Sequence, residues 1–328
     1  MSQDRLPCSD WLKIDCQAEV ERICGSIRQQ VLKDLRKRGV VVALSGGIDS
    51  SLVGALCVHA LGRERVFGLS LPERESSPDT ARLSSMIIAH LGIDSATIDI
   101  TPILESAGCY RFRDEAVQKA WPAYGPGCKC KIVLPSLIDG DRLNVFSVVI
   151  RQPDGAEVEV KLGLEPFLGI VAATNFKQRV RKMMEYYHAD RLNYAVAGTP
   201  NRLEYDQGFF VKLGDGAADI KPIAHLYKTQ VYQLARYLGI PEEICSRPPT
   251  TDTYPMSQTQ EEFFFAVPYQ ILDLCLYAKE HQISVEQTAD VTGLTADQVR
   301  RILRDIDAKR RAARYLHAPP LLVGQGLD

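Results

Sequence analysis

A short run of serine, glycine and aspartate, residues 45–50, holds the residue types in this chain that are best suited to bind phosphate. Glycine permits positive φ, so the backbone N–H groups of Gly46 and Gly47 can approach an anion, and the neighbouring serine hydroxyls add donors. Apolar residues 40–44 predict a strand before the run, and residues 52–61 predict a helix after it. The donors then lie at a helix N-terminus, where the macrodipole favours negative charge. The sequence therefore predicts a phosphate-binding loop.

Asp49 lies inside this anion site, where a carboxylate is repulsive unless a cation stands between it and the phosphate. We therefore interpret Asp49 as a Mg²⁺ ligand. The loop has neither the Gly-Lys-Ser/Thr ending of a Walker loop nor the Gly-x-Gly-x-x-Gly fingerprint of dinucleotide folds. The run Ser45-Gly46-Gly47-Ile48-Asp49-Ser50 resembles the pyrophosphate loop of the ATP pyrophosphatases, which split ATP between its α and β phosphates. An ordinary capped turn is the alternative, and the presence of all six motif positions disfavours it.

Later segments extend the resemblance in chain order: residues 198–204, 209–223, 226–231 and 248–252. Together with the loop and the segment around Arg179, they resemble the NAD⁺ synthetase family and cover most of residues 20–265. The resemblance implies that ATP adenylylates the nicotinate carboxylate of deamido-NAD⁺ with release of pyrophosphate. Ammonia then displaces AMP. Mg²⁺ is the implied cofactor, and ATP is a co-substrate.

The resemblance also implies a role for individual residues. It assigns ATP contacts to the loop 43–50, which contains Ser45, Gly46, Gly47, Asp49 and Ser50, and to Thr199, Lys228 and Thr250. It assigns Mg²⁺ to Asp49 and Glu204, and deamido-NAD⁺ to Arg179, Lys212, Asp219 and Lys309. Asp49 and Lys228 are the expected catalytic residues, with Lys228 as a point charge beside the departing pyrophosphate. Such catalysis is mainly positioning and charge stabilisation, so no Ser–His or Cys–His nucleophile is required.

The chain departs from the family pattern in three places. A His-Lys pair common in the family is here Ala308-Lys309, and the usual Asn-Lys-Ser-Glu is here residues 201–204, which keep only the Asn and the Glu. An insertion at about residues 122–165 is longer than the simplest members require. These departures leave open an adenylating amide ligase that acts on another carboxylate, as asparagine and GMP synthetases do. Arg179, Lys212 and Asp219 weigh against that alternative.

A second alternative is a DNA-binding protein. Residues 285–303 have the helix, glycine turn and second helix of a helix-turn-helix, and Lys309-Arg310-Arg311 follows. However, similar helical pairs end many members of the resembled family, and the formal net charge of −2 gives no bulk attraction to nucleic acid. We expect no nucleic-acid partner.

Composition and cysteine usage favour a cytoplasmic enzyme. The 328 residues are 45% apolar and 24% charged, and no segment approaches the ~20 apolar residues of a membrane span. The N-terminus lacks the core of a signal peptide, so we expect no membrane partner. Nine cysteines, an odd number, suit a reducing compartment. Cys109, Cys128 and Cys130 lack the partners of a zinc site, so we expect no metal there.

Alternating strands and helices predict an α/β fold, an open parallel sheet with helices on both faces, like that of the adenine nucleotide alpha hydrolases. The predicted strands are residues 40–44, 65–71, 96–100 and 192–197. The predicted helices are residues 10–38, 52–61, 78–91, 175–189, 225–238 and 269–280, followed by two short helices joined by a glycine. Between them, residues 143–151 and 157–162 predict a β-hairpin within an insertion folded over the main sheet.

We expect residues 1–265 to form one synthetase-like domain and residues 266–328 a helical extension of the same domain. Free ammonia is the expected nitrogen donor because no amidotransferase part precedes the loop, and a separate glutaminase subunit remains open. The N-terminal helix and the Arg179 helix carry more apolar surface than one sheet face needs, which predicts a homodimer. In such a dimer, Arg179 or Lys309 can reach a substrate held mainly by the other subunit.

Overall fold

The computed structural model describes residues 10–138, 145–251 and 253–323, and the strands within them form two separate sheets. The strands are β1 Val40–Ala43, β2 Val66–Ser70, β3 Asp94–Thr97, β4 Lys129–Val133, β5 Ser147–Arg151, β6 Glu157–Lys161 and β7 Ala195–Ala197. A four-stranded sheet has the order β3-β2-β1-β7, and every neighbouring pair in it is parallel. The parallel sheet predicted from the sequence is confirmed.

The α-helices of the described residues are α1 Cys16–Arg28, α2 Ile48–Leu61, α3 Pro78–Leu91, α4 Thr101–Ser106, α5 Cys109–Ala120, α6 Leu164–Leu192, α7 Arg202–Gln207, α8 Lys228–Tyr237, α9 Glu242–Cys245, α10 Tyr269–Glu280, α11 Val285–Thr292 and α12 Ala296–His317. None of the helices in the described part of the chain combines the length and apolar character needed to cross a membrane.

The side chains of β1 alternate between two apolar layers, which places helices on both faces of the sheet. Val40 and Val42 pack with residues of α1, α2 and α8. Val41 points the other way and packs with residues of α4 to α6. Alternation with period two therefore produces the layered α/β architecture.

Several predicted boundaries hold and others shift. Helix α3 spans its predicted range, with Ser77 as a side-chain cap at its start and left-handed Gly92 at its end. The first helix begins at Cys16 rather than residue 10, because the Asp15 side chain accepts from the N–H of Ala18 and caps the helix there. Strand β3 occupies residues 94–97 rather than 96–100.

Two helical segments differ from the prediction. Residues 101–120, where no helix was predicted, form α4 and α5. Helix α6 starts at Leu164, well before the predicted residue 175. Gly169 lies inside it because α5 approaches closely: a Cβ at Gly169 would come within 2.8 Å of the Ala116 Cβ. A glycine that weakens a helix in isolation here permits helix packing.

The insertion forms the second sheet, of antiparallel order β4-β5-β6. The hairpin of β5 and β6 is confirmed, although residues 143 and 144 of its predicted first strand lie outside the described residues. Strand β4 was not expected. The sheet packs through Ile132, Val148 and Ile150 on α5 and the first turns of α6, rather than on the parallel sheet.

The C-terminal helices pack against the core domain. Ile302 and Ile306 of α12 lie in one apolar cluster with Leu272 of α10 and Leu203 of α7. Helix α12 has 22 residues, so the prediction of two short helices is wrong for the second. Its Arg310 is ion-paired with Asp206 and Glu280.

Candidate active site

A cavity of about 520 Å³ opens at the carboxyl ends of β1, β2 and β7, where open α/β sheets bind ligands. Its wall includes these residues predicted from the sequence: Ser45, Gly47, Asp49, Ser50, Thr199, Glu204, Lys228 and Thr250. The fold thus brings the predicted ATP and Mg²⁺ residues of four distant segments to one cavity. Asp252, the last residue of the matching segment 248–252, lies outside the described residues.

The loop between β1 and α2 is shaped by hydrogen bonds of its own serines. The Ser45 N–H donates to the Ser50 hydroxyl at 3.3 Å, and that hydroxyl donates to the Gly47 carbonyl at 3.0 Å. Gly46 has φ +74°, and a Cβ there would come within 2.5 Å of the Leu83 Cβ. Gly46 therefore lies behind the cavity wall, where both its backbone conformation and the space available to it require glycine. The sequence motif fixes the backbone of the loop as well as its donors.

Asp49, in the first turn of α2, lies between a cation and an amide. One carboxylate oxygen is paired with the ammonium of Lys228, and the other accepts from the Asn201 side-chain amide at 2.9 Å. Lys228 is the first residue of α8, and its side chain is 2% exposed. The expected catalytic pair is therefore in direct contact.

Glu204 is held in place by a capping box. The Asn201 side chain accepts from the Glu204 N–H, and Glu204 Oε2 accepts from the Asn201 N–H at 3.1 Å. The other oxygen, Oε1, accepts from the Gln260 side chain at 2.9 Å. Because Asn201 also contacts Asp49, the cap that starts α7 joins the two predicted Mg²⁺ ligands. The retained Asn-x-x-Glu pattern is thus a local folding signal.

Burial and mutual charge perturb this cluster strongly. Burial, and then the Asp49 carboxylate, raise the pKa of Glu204 to about 8. Burial opposes the charge on Lys228, but Asp49 and Glu204 outweigh it and raise the pKa of that ammonium. Two acidic groups and one lysine in a cavity form a site that favours an additional cation.

Sequence reasoning missed the residues that position this cluster. Buried Asp273 of α10 accepts from the N–H groups of Lys228, at 3.2 Å, and Thr229, at 2.7 Å, and so holds the start of α8. Burial raises the pKa of Asp273 to about 7. Asn201 was visible as a capping signal three residues before Glu204. Asp273 and Gln260 gave no local signal, because their partners are distant in sequence.

The four predicted deamido-NAD⁺ residues lie outside the cavity wall of the described chain. Arg179 and Lys212 are adjacent, since the Arg179 Nε donates to the Lys212 carbonyl at 3.3 Å. The Lys212 ammonium donates to the carbonyls of Tyr315 in α12 and of Ala318 just after it, and Asp219 accepts from the Val196 N–H at 2.7 Å. Lys309 is paired with Asp305 at 2.6 Å, and its burial lowers its pKa. Their predicted contacts therefore stay predictions.

A second charged group lines the cavity and was not predicted. The Lys182 ammonium of α6 contacts Glu185 at 2.6 Å, with both side chains buried. Burial raises the pKa of Glu185, and also that of nearby Asp215, which accepts from the Val211 N–H at 2.8 Å.

Behind the cavity, a buried ionic cluster ties four segments together. The Lys177 ammonium donates to Glu73 at 2.9 Å, to Glu75 at 2.7 Å and to the Thr253 carbonyl at 2.9 Å. Arg113 of α5 contacts Glu75 at 2.6 Å. The cluster joins the β2–α3 loop, α5, α6 and the segment after Thr250.

Two of the three cysteines considered as metal ligands in the sequence analysis are buried and contact neighbouring protein groups. The Cys109 thiol faces the Ala173 carbonyl at 3.3 Å, and Cys130 lies buried in β4 beside the Tyr124 hydroxyl. Within the described ranges, no group of three or more His, Cys, Asp or Glu side chains is arranged to hold a metal by itself. A cation at Asp49 and Glu204 must take further ligands from substrate or water.

Comparison with known proteins identifies a family and relatives that match most of this chain. The family model described as NAD synthase matches residues 19–120 and 157–313, which leaves most of the insertion unmatched. A protein of Mesorhizobium japonicum named NH₃-dependent NAD⁺ synthetase is 58% identical over 311 residues, 95% of this chain and 98% of that protein. A Rhizobium rhizogenes protein of the same name is 54% identical over 96% of this chain and 95% of its own length.

Solved structures support the fold. The NMN synthetase of Francisella tularensis aligns with a TM-score of 0.66 and 22% identity over 94% of this chain and 99% of that chain. The NH₃-dependent NAD synthetase of Campylobacter jejuni aligns with a TM-score of 0.61, also at 22% identity and with the same coverage. At this identity the likeness shows the shared fold.

Proposed function

Because this chain belongs to the NAD synthase family, we propose that it is a carbon–nitrogen ligase that amidates deamido-NAD⁺ to NAD⁺ with ATP and ammonia. The main observation behind this proposal is a cluster of contacts beside the predicted phosphate loop. Asp49 contacts Lys228 and Asn201, and Asn201 contacts Glu204, so the cluster joins three separated segments that resemble the family. The full-length identity to proteins named NH₃-dependent NAD⁺ synthetase favours this acceptor over other carboxylates.

The phosphates of ATP occupy the loop between β1 and α2 in this proposal. Residues 47–50 at the start of α2 line the cavity, and the N-cap residue Gly47 provides no side-chain cap for the helix N–H groups. Ser45, Ser50, Thr199 and Thr250 supply hydroxyls on the same wall. A helix N-terminus with free donors suits the departing pyrophosphate.

Asp49 and Glu204 fit Mg²⁺. Magnesium is usually held by one or two carboxylates together with phosphate oxygens and water, and this wall offers two carboxylates beside a phosphate loop. Because burial and the Asp49 carboxylate raise the pKa of Glu204 to about 8, a cation beside it would favour its charged form. When bound, the ion neutralises charge on the phosphates and so lowers the repulsion felt by an attacking carboxylate.

Lys228 supplies a positive charge that can move from Asp49 to the phosphates during the reaction. In the structure its ammonium is paired with Asp49, whose carboxylate we assign to the metal. When that carboxylate is engaged by the metal, the ammonium is free to contact the phosphate oxygens. Asp273 holds the Lys228 backbone at the start of α8, so the flexible side chain moves the ammonium while its backbone stays in place.

The chemistry has two displacements. The nicotinate carboxylate attacks the α-phosphorus of ATP, the bond to the β-phosphate oxygen breaks, and pyrophosphate leaves. Ammonia then attacks the acyl carbon, AMP leaves, and the nitrogen gives up a proton to yield the amide. In this proposal the site residues position the reactants and stabilise charge. These two effects can provide most of the reduction in the activation free energy.

The dinucleotide residues are proposed to act across a homodimer. Exposed apolar residues Leu164, Leu168, Met183 and Tyr187 of α6 fall within about 140° of the helix circumference, and Arg179 lies among them. Such a face suits a second copy of the chain. Arg179, Lys212, Asp219 or Lys309 can then complete a site on the partner.

A panel of acceptors tests the proposal. Pyrophosphate release from ATP is measured with deamido-NAD⁺, nicotinate mononucleotide, aspartate and xanthosine monophosphate, each with Mg²⁺ and ammonium. We expect turnover with deamido-NAD⁺ to exceed that with the others by at least ~10²-fold, since buried polar partners discriminate by about this factor or more. Preference for another carboxylate would support the alternative ligase.

A further inference from the structure

Within the described residues, the insertion contributes one residue to the cavity wall, although its strands β4 and β5 lie outside the segments matched by the family model. Phe146, directly before β5, lines the cavity together with Phe167 of α6. The two rings are stacked, with centroids 4.4 Å apart and planes at 25°. An insertion that only decorated the surface would not place an aromatic side chain here.

The backbone of Phe146 is fixed by the sheet. Its carbonyl accepts from the Leu162 N–H at 2.9 Å, which continues the β5–β6 ladder by one step. The ring packs against the apolar cluster that contains Val148 and Ile150. Phe146 is therefore presented by a rigid element, so a bound ring need not order a loop first.

The same sheet is linked to the proposed metal ligand. The Leu134 N–H, just after β4, donates to the Glu262 carbonyl at 2.9 Å, and the Lys131 ammonium contacts the Glu262 carboxylate at 3.2 Å. The segment anchored in this way carries Gln260, which donates to Glu204 at 2.9 Å. Phe263 and Phe264 of this segment also line the cavity. The aromatic wall and the carboxylate cluster are thus neighbouring parts of one site.

We propose that Phe146 is a specificity-determining residue that stacks on a planar heteroaromatic ring of a bound nucleotide substrate. This inference rests on the proposed function, which supplies two kinds of ring: nicotinate and adenine. A face of Phe146 offers offset stacking to either, and adds a cation–π attraction to a positively charged nicotinate ring.

Two substitutions separate ring stacking from simple apolar packing. Phe146→Leu keeps an apolar side chain and removes the π face, whereas Phe146→Tyr keeps the ring. We expect Phe146→Leu to raise the KM of one substrate by about tenfold, with kcat near that of the wild type, and Phe146→Tyr to restore the KM. A rise confined to ATP identifies its adenine, and a rise confined to deamido-NAD⁺ identifies a ring of the dinucleotide.

Phe112→Leu is the matched control, because Phe112 stacks on Phe176 between α5 and α6 and does not line the cavity. Thermal unfolding of each variant checks that the fold persists, and Phe167→Leu is a second test of the same wall if Phe146→Leu fails to fold. Unchanged KM values for both substrates in a folded variant would overturn the inference while leaving the proposed function intact. Failure of the wild type to amidate deamido-NAD⁺ would overturn the function itself.

Discussion

At the scale of single residues, the site is organised by three charges that cannot all be satisfied by protein alone. Asp49 is paired with Lys228, whereas the Glu204 carboxyl accepts hydrogen bonds from Asn201 and Gln260 and forms no ion pair within the described residues. Burial and the neighbouring carboxylate keep the pKa of Glu204 near 8. The arrangement is costly in the free protein and favourable once a cation and phosphates enter, as expected of a site shaped for a charged transition state.

Neutralising either carboxylate tests this arrangement. Asp49→Asn and Glu204→Gln should each lower kcat by ~10²–10³, because each removes a negative ligand where charge develops on the departing pyrophosphate. Steady-state pyrophosphate release at saturating ATP measures the loss. Glu105→Gln, which removes an exposed carboxylate paired with Arg74, is the control and should retain wild-type kcat. Near-normal kcat in both site variants would remove Asp49 and Glu204 from the metal site.

The pH dependence of stability tests the state of Glu204. Its pKa rises from 4.5 to about 8 on folding, so the folded protein holds a proton that the unfolded chain releases between those values. This contribution is full below about pH 4 and is lost as the pH rises through 8. The Tm of the wild type relative to Glu204→Gln should therefore fall from pH 5 to pH 8 in the absence of metal.

Asp273, with a pKa of about 7, contributes equally to both proteins and cancels in the comparison. Mg²⁺ at pH 8 should recover part of the wild-type Tm and leave Glu204→Gln unchanged, because a ligand that binds only the folded state stabilises it. Parallel Tm profiles for the two proteins, with and without Mg²⁺, would contradict the assignment.

At the scale of elements, the sequence predicted the features that depend on residues close together in the chain. The phosphate loop, α3 with its Ser77 cap, and the β5–β6 hairpin all follow from neighbouring residues. The start of α6 could not be predicted, because Gly169 is explained only by the approach of Ala116 from α5. Helix α5 also escaped prediction, since its buried Arg113 is neutralised by Glu75 of a distant loop. Long-range partners override local propensity in these cases.

The ionic cluster around Lys177 is the element-level contact with the largest expected effect on stability. Lys177→Met should lower the free energy of unfolding by ~3–5 kcal/mol, because it leaves buried Glu73 without its ammonium partner and weakens the compensation of Glu75. Lys119→Met, in an exposed pair with Glu165, should leave it close to the wild-type value, because solvent screens that pair. Urea unfolding measures both. Equal, small effects would show that the cluster tolerates an uncompensated charge.

At the scale of the whole molecule, we infer one domain from the packing of the C-terminal helices. Leu203 of α7 and Tyr227, beside Lys228, lie in one apolar cluster with residues of α10 and α12. Because α10 also supplies Asp273 to the start of α8, the C-terminal part contributes directly to the arrangement of the candidate active site. The sequence predicted these helices, but this dependence arises only from tertiary contacts.

Assembly is the second property of the whole molecule. If Arg179 acts on a substrate bound by the partner, mixing an Asp49→Asn chain with an Arg179→Ala chain should restore part of the lost activity. One of the two sites in a mixed dimer then has both groups intact. Activity after co-refolding of the two variants is the measurement, with each variant refolded alone as the control. A monomeric mass in light scattering together with full wild-type activity would rule the dimer out.

The stoichiometry of the complete reaction tests the central claim most directly. Purified protein is given ATP, deamido-NAD⁺, Mg²⁺ and an ammonium salt, and AMP, pyrophosphate and NAD⁺ are quantified together. We predict equal amounts of all three products and none of the amide when any one component is omitted. Formation of ADP and phosphate in place of AMP and pyrophosphate, or pyrophosphate release without NAD⁺, would contradict adenylylation and amidation of this dinucleotide.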